Sequence, residues 1–347
     1  MRLIISMLAL AVVACSQEPV EVGRATSRAL GGAGRVVPWS QVTLRPAGPE
    51  LLAEGPSAVA VAPDGSVLVL DRLGGKVLRL TDGQLTVAAS VPGDVEDLAV
   101  GPDGAVAVYS PLRARVWIHG PAGEPAGELA VPRVLRMVRG IALGPSRQLW
   151  LQDAHQQRFR LGSPTVPQAL PAVLHSRREG EPLPDGSGVL VQVTAGGAWL
   201  ERVERRVDRT RVVARWRLPG PVLAARVVGA TREVACLRLE QRALRAGPAN
   251  TTSEPLVSDR DTPAHGAPAA GRRAPAAGDS LVIGRRALCL DLRTGRTLLE
   301  QPLPLGLYLP RRELGLGGDP AQLALIRPEP SGLRVTVWPL RRGRAER

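Results

Sequence analysis

The sequence predicts an all-β fold, a β-propeller built from four-stranded antiparallel blades. Three observations support this prediction. Proline-containing segments recur at a nearly even spacing, each carries a turn motif between apolar runs, and no stretch beyond the N-terminal apolar run shows strong helical periodicity. Repeats of about 40 residues made of short β-rich segments are typical of propellers, in which each repeat forms one blade. We expect six blades, with seven as the alternative count.

The repeat is clearest in its first three copies, whose prolines are Pro63, Pro102 and Pro145. The residues at two further offsets also correspond, namely Asp71, Ser110 and Asp153 after eight residues and Lys76, Arg115 and Arg158 after thirteen. A fourth, degenerate copy begins at Leu183. Agreement at several offsets predicts that these copies share one structure.

Each copy has the pattern of four strands joined by short turns. In the first copy the predicted strands cover residues 57–62, 67–70, 77–80 and 85–89. A Pro-Asp-Gly turn joins the first two, because proline presets φ and glycine accepts a positive φ. Apolar strand pairs at 222–244, 287–303 and 322–340 continue the pattern, which gives six or seven blades, and we expect six.

The first copies resemble NHL repeats, in which an apolar strand leads through Pro-Asp-Gly to a strand that ends in Asp and is followed by a basic residue. The resemblance covers residues 55–205. It implies a propeller whose ligands bind the face formed by the loops between second and third strands. Those loops are residues 72–75, 111–114 and 154–157, and they offer Arg72, Arg113, His155 and Gln156 as a candidate binding set. The alternative is that these four are ordinary solvated loop residues.

The N-terminus has the pattern of a lipoprotein signal. One basic residue, Arg2, precedes an apolar run that is too short to span a bilayer and that ends at Cys15. The residues Val12-Val13-Ala14-Cys15 resemble the bacterial lipobox, which implies cleavage before Cys15 and lipid attachment to it. Since Ser16 follows in place of the aspartate that retains lipoproteins at the inner membrane, we expect outer-membrane anchoring, with the body periplasmic or surface-exposed.

These patterns divide the chain into four parts. We expect a signal peptide at 1–14, a lipidated and flexible tether at 15–48, the propeller at 49–340 and a basic tail at 341–347. Within the propeller, residues 247–279 are rich in Ala, Pro and Gly and lack apolar strands, so we expect a disordered insertion there.

The formal net charge of +13 favours anionic partners without indicating nucleic acid. The basic residues are scattered along predicted strands, and no basic arm or helix gathers them. We therefore expect an envelope protein or an anionic glycan as the partner, and no nucleic acid.

Two cysteines, Cys236 and Cys289, remain once Cys15 carries lipid. An even pair in an oxidising compartment is compatible with a disulfide. Two buried thiols that do not meet are the other interpretation, and the sequence leaves both open.

The stretch Glu54-Gly55-Pro56 raises the question of metal-dependent catalysis. Gluconolactonases of the regucalcin-like family are six-bladed propellers in which a similar Glu-Gly-Pro supplies a metal ligand, so the resemblance implies that role for Glu54. That family also uses an asparagine on a later blade, whereas the one asparagine here, Asn250, falls in the predicted insertion. We therefore predict no metal, with Glu54 as the ligand in the alternative interpretation.

No motif specifies a reaction or a cofactor. There is no Cys-x-x-Cys pair, phosphate-binding loop or His-Glu-x-x-His motif, so we predict no cofactor and no catalytic residue. The sequence favours a non-catalytic binding or scaffolding propeller on a lipid anchor. A metal-dependent lactonase or hydrolase with an altered metal site is the alternative.

Overall fold

A computed structural model describes residues 20–21, 33–47, 52–135, 138–175, 178–183, 185, 187–206, 209–244, 281–303 and 306–340. Cys15, the segment 247–279 and the tail 341–347 lie outside the described residues. The chain folds as a six-bladed β-propeller, which confirms the predicted fold class and blade count. No helix within the described ranges has both the length and the apolar character needed to cross a membrane.

The strands follow in chain order, and most blades are continuous in sequence. The first two strands are β1 (Val20–Glu21) and β2 (Ala33–Val37). Blade 1 contains β3 (Ala58–Val61), β4 (Val67–Asp71), β5 (Lys76–Thr81) and β6 (Gln84–Ser90). Blade 2 contains β7 (Asp97–Val100), β8 (Val106–Ser110), β9 (Arg115–His119) and β10 (Pro125–Ala130). Blade 3 contains β11 (Gly140–Leu143), β12 (Leu149–Gln152), β13 (Gln157–Ser163) and β14 (Val166–Pro167).

The second half has longer strands. The helix α1 (Leu170–His175) and β15 (Arg178–Glu179), which pairs with β13, connect blades 3 and 4. Blade 4 contains β16 (Glu181–Pro182), β17 (Gly188–Thr194), β18 (Gly197–Arg206) and β19 (Arg209–Arg217), with β1 added parallel to β19. Blade 5 contains β20 (Val222–Ala230), β21 (Val234–Leu244), β22 (Leu281–Asp291) and β23 (Thr297–Pro302). Blade 6 contains β24 (Leu314–Gly317), β25 (Gln322–Glu329) and β26 (Gly332–Pro339).

The outermost strand of blade 6 comes from the start of the chain. Strand β2 pairs antiparallel with β26, from Ala33 opposite Val337 to Val37 opposite Leu333. This corrects the predicted tether at 15–48, because residues 33–37 belong to the propeller. The sequence pattern missed this strand because its hydrogen-bonding partner lies about 300 residues further along the chain. Joining the two ends in one blade closes the ring.

The antiparallel order gives the propeller two distinct faces. The loops between second and third strands lie at the edge where the innermost strands begin, and we call this edge the upper face. The Pro-Asp-Gly turns lie at the opposite edge, the lower face. The predicted binding loops, such as residues 72–75 after β4, are therefore on the upper face.

Apolar clusters fill the interfaces between consecutive blades. Five such clusters lie between blades 1 and 2, 2 and 3, 4 and 5, 5 and 6, and 6 and 1. No comparable cluster joins blades 3 and 4 within the described ranges. A buried ion pair between Arg158 of β13 and Glu181 of β16 lies at that interface instead. The ring therefore has one polar seam.

Candidate functional site

The upper-face loops are held in place by polar side chains at the ends of the second strands. These side chains accept backbone N–H groups of the following turn: Asp71 from Gly74 at 3.0 Å, Ser110 from Arg113 at 3.0 Å, and Asp153 from His155 and Gln157 at 2.8 Å each. The repeated Asp or Ser is therefore a structural feature that fixes each loop.

The four predicted face residues lie on this edge in three consecutive blades, and no hydrogen bond or ion pair within the described part of the chain joins those of different blades. Arg113 pairs with Asp94 at 2.9 Å and lies over the Trp117 ring, 5.8 Å from its centroid. His155 is exposed, and Gln156 occupies a turn with φ of 62°. They offer polar groups around the rim of the propeller.

Glu54 is engaged by two arginines. Its carboxylate pairs with Arg72 Nη2 at 2.9 Å and Arg45 Nη1 at 3.2 Å. The next residue, Gly55, has no room for a side chain, since an added Cβ would lie 2.4 Å from the hydroxyl of Tyr308. The Tyr308 hydroxyl in turn donates to the Pro56 carbonyl at 3.1 Å. The Glu-Gly-Pro stretch is therefore a packed loop that leads into blade 1.

These surroundings do not suit a divalent cation. Two guanidinium groups beside Glu54 oppose the approach of a second cation, while calcium takes six to eight oxygen ligands. Across the described part of the chain, no group of three or more His, Cys, Asp or Glu side chains is placed to hold a metal. The residues around Glu54 do not fit the metal site of the lactonase interpretation.

A central cavity of about 630 Å³ follows the propeller axis. The innermost strands of all six blades line it, and its lower part is apolar. The lining residues there include Val61, Val100, Ala142, Leu143, Trp150, Val228 and Leu316. Cavities of this volume and character accommodate drug-sized molecules.

Arginines crowd the upper end of the same cavity. Arg312, which precedes β24, donates to Asp97 Oδ2 at 2.8 Å, to the Leu98 carbonyl at 2.7 Å and to the Ile141 carbonyl at 2.9 Å. Its neighbour Arg311 pairs with Glu96 and donates to the Val138 carbonyl at 2.7 Å. Side chains from blade 6 thus reach blades 2 and 3 across the axis and narrow the upper opening.

Arg226 projects into the cavity from β20 of blade 5. Its Nη2 donates to the Arg139 carbonyl at 3.1 Å and approaches the Gln152 amide oxygen at 3.5 Å. No carboxylate pairs with Arg226 among the described residues. Burial, together with the positive charge of Arg312, lowers the pKa of Arg226 to about 10, so the group is still protonated at neutral pH.

Arg158 is the most deeply buried of these arginines. It pairs with Glu181, while its Nε is buried without a hydrogen-bond acceptor among the described residues. Burial lowers the pKa of Arg158 to about 9, and the positive charges of Arg312 and Arg226 add to this shift. The upper end of the cavity therefore carries desolvated positive charge.

Sequence reasoning missed these channel arginines. A charged Arg226 inside the apolar segment Val222–Ala230 was the available signal, because an innermost strand seldom carries an isolated charge. Arg158 was identified only as a repeat position, equivalent to the exposed Lys76. Nothing in the repeat distinguishes a buried copy from an exposed one.

The two cysteines face each other across neighbouring strands of blade 5. Cys236 on β21 is directly opposite Cys289 on β22, and their sulfurs are 2.03 Å apart, forming a disulfide. Both residues are fully buried in the apolar cluster between blades 5 and 6. The bridge therefore lies away from the channel and both faces.

Comparison with known proteins yields likeness in overall shape only. No protein-family profile matches the chain, and no curated protein is similar in sequence. Among solved structures, the chain is similar to virginiamycin B lyase from Staphylococcus aureus with quinupristin (14% identity, TM-score 0.42), over 88% of this chain and 99% of that one. It is also similar to Kuenenia stuttgartiensis hydrazine synthase (13%, TM-score 0.40; 81% and 79% covered). A third is the PQQ-bound aldose sugar dehydrogenase from Streptomyces coelicolor (14%, TM-score 0.40; 89% and 98% covered).

Proposed function

We propose that this chain is a lipid-anchored envelope protein whose propeller binds an anionic partner through its upper face without catalysing a reaction. The observation that carries the proposal is the concentration of guanidinium groups on that face. Arg72 and Arg113 lie on its loops, and Arg311 and Arg312 lie at the channel mouth. Arginine is suited to carboxylate and phosphate groups because its donors form a planar fork.

The anchor and the compartment are supported by the sequence alone. The lipobox-like residues before Cys15 favour lipid attachment, and Ser16 favours the outer membrane. An anchored propeller would present its face to envelope proteins or acidic glycans close to the membrane. The NHL resemblance supports the same assignment of a ligand face.

The lactonase alternative is less well supported. It requires Glu54 to bind a metal, and this carboxylate already has two cationic partners. A metal would have to displace Arg45 and Arg72 and recruit ligands that the described residues do not bring together.

Site-specific photocrosslinking in intact cells tests the proposed face. The chain offers a matched pair of positions, since Arg113 pairs with Asp94 on the upper face and Arg147 pairs with Asp103 on the lower face. A crosslinking residue at 113 should capture a protein or a glycan, and one at 147 should not. Arg72→Glu should weaken the capture from position 113, because it reverses a charge on the same face of the propeller.

Equal capture from both positions would contradict the proposed face. Capture that survives Arg72→Glu and high salt would contradict an electrostatic interaction, since exposed charges are screened beyond about 10 Å at 0.1 M salt.

A further inference from the structure

The central cavity combines a charged end with an apolar end. The upper end carries the arginines described above, and the lower end is lined by aliphatic side chains and Trp150. This arrangement matches a molecule that has an acidic group at one end and an apolar body.

The charges at the upper end do not balance. Among the described residues, the charged side chains that line the cavity, of either sign, and the groups ion-paired with them comprise six guanidinium groups and five carboxylates. The cations are Arg158, Arg226, Arg238, Arg285, Arg311 and Arg312, and the anions are Glu96, Asp97, Glu181, Glu240 and Glu313. The unpaired charge belongs to Arg226, so the set carries one surplus positive charge.

A surplus charge in a desolvated place is unfavourable unless an anion offsets it. Within the part of the chain that the structure describes, Arg226 has only carbonyl and amide oxygens as acceptors, at 3.1 and 3.5 Å, which leaves most of its donors available. Arg158 also lines the cavity, and its buried Nε has no acceptor within the described ranges.

We propose that the central channel binds an organic monoanion with an apolar body, of the monocarboxylate class, with its acidic group at Arg226 and Arg158 and its body in the lower channel. The molecule enters from the lower face, because Arg311 and Arg312 cross the upper opening. This small-ligand site is separate from the macromolecular face proposed above and does not depend on it.

Isothermal titration calorimetry on the full lipidated chain in matched non-ionic detergent tests the charge. The probes are naphthoate and phenylbutyrate as monoanions, and naphthamide as the neutral counterpart of the first. We expect at least one carboxylate to bind with a Kd below about 1 mM, and naphthamide to bind at least tenfold more weakly than naphthoate.

Variants then locate the site. Arg226→Gln should weaken carboxylate binding tenfold or more, whereas Arg226→Lys should retain it within a few-fold. Arg115→Gln is the matched control, because Arg115 occupies the same repeat position as Arg158 but lies exposed on blade 2 and pairs with Glu128. The Arg115→Gln variant should bind the carboxylate with the same affinity as the unaltered chain.

A second variant tests whether the ligand occupies the cavity, by filling the cavity with a larger side chain. Ala142 is a half-buried residue that lines the channel on β11, so Ala142→Phe should occupy the space needed by the ligand and abolish binding. Calorimetric unfolding confirms that each variant is folded, and if Arg226→Gln does not fold, Arg226→Lys and Ala142→Phe decide the question.

Three results would overturn the proposal. They are failure of both carboxylates to bind, equal affinity for naphthoate and naphthamide, and unchanged affinity in folded Arg226→Gln and Ala142→Phe. Crosslinking at position 113 is read independently, so failure of the channel site leaves the upper-face proposal standing, and the reverse also holds.

Discussion

Asp97 is fully buried at the start of blade 2, and its charge is met by a guanidinium from blade 6. Its Oδ2 accepts from Arg312 at 2.8 Å and from the Ile141 backbone N–H at 2.9 Å. A single carboxylate thus joins three blades. At the residue scale, this polar link near the axis complements the apolar packing between blades.

We expect Arg312→Met to destabilise the protein by about 3 kcal/mol, because it leaves the carboxylate of Asp97 buried without its cation. Thermal unfolding followed by calorimetry measures the loss. Adding Asp97→Asn should recover part of it, since the remaining amide needs no counter-ion. An Arg312→Met variant as stable as the unaltered chain would show that the link contributes nothing.

The residues of the candidate site were only partly predictable. Arg72 and Arg113 could be assigned to one face because the repeat places their loops at equivalent positions. Arg311 and Arg312 could not, since their importance comes from reaching blades that lie more than 170 residues away in sequence. Three-dimensional closure of the ring creates that proximity, and no local pattern encodes it.

At the element scale, β2 determines whether the ring is closed. Val37 at its end is buried in the cluster between blades 6 and 1, whereas Gly34 near its start is exposed. Without β2, β26 would be an unpaired edge strand, which is open to pairing with other chains.

We expect Val37→Asp to cost more than about 3 kcal/mol, because it places a carboxylate in an apolar cluster. Gly34→Asp introduces the same side chain in the same strand at an exposed position, where an added Cβ would lie 3.6 Å from both Arg334 Nη1 and Thr336 Oγ1. This control should change stability by no more than about 0.5 kcal/mol. Equal effects in denaturant unfolding would contradict the role assigned to β2.

The disulfide makes a second prediction at this scale. It links residues 53 positions apart, so the chain-entropy argument gives about 4 kcal/mol of stabilisation. The double variant Cys236→Ala/Cys289→Ala should unfold at lower denaturant concentration by a corresponding amount. Reducing agent should have no effect on that variant, and a double variant as stable as the oxidised chain would contradict the prediction.

At the scale of the whole molecule, polar turns recur around the lower face. The pKa of Asp64 is lowered by its hydrogen bond from the Ser66 hydroxyl, and that of Asp185 by its bond from Ser187. A carboxylate whose pKa is lower in the folded state than in the unfolded state stabilises the protein at pH values above the unfolded-state pKa. This stabilisation is lost as the pH falls through the folded-state pKa.

We therefore expect Tm to be nearly constant from pH 7 to about pH 5 and to fall below about pH 4. Ser66→Ala and Ser187→Ala together should lower the Tm at neutral pH and reduce its dependence on acid. A calorimetric series over pH checks both effects. A Tm that rises on acidification would contradict the sign of these shifts.

The overall architecture was predictable because the propeller repeats one local pattern, so several copies reinforce a weak signal. The strands of blade 1 follow the predicted ones within one residue at each end. The polar seam at Arg158 and Glu181 was not predictable. Arg158 has the same basic character as Lys76 and Arg115 at this repeat position, but Arg158 is buried whereas the other two are exposed.

Metal content tests the central claim most directly, namely that Glu54 has a structural role, paired with Arg45 and Arg72, and does not bind a metal. The measurement is elemental mass spectrometry on the full chain, purified without chelator, alongside Glu54→Gln and the exposed control Glu128→Gln. We expect far less than one calcium or zinc ion per chain in all three proteins. About one tightly held ion per chain that is lost only in Glu54→Gln would contradict it and restore the lactonase interpretation.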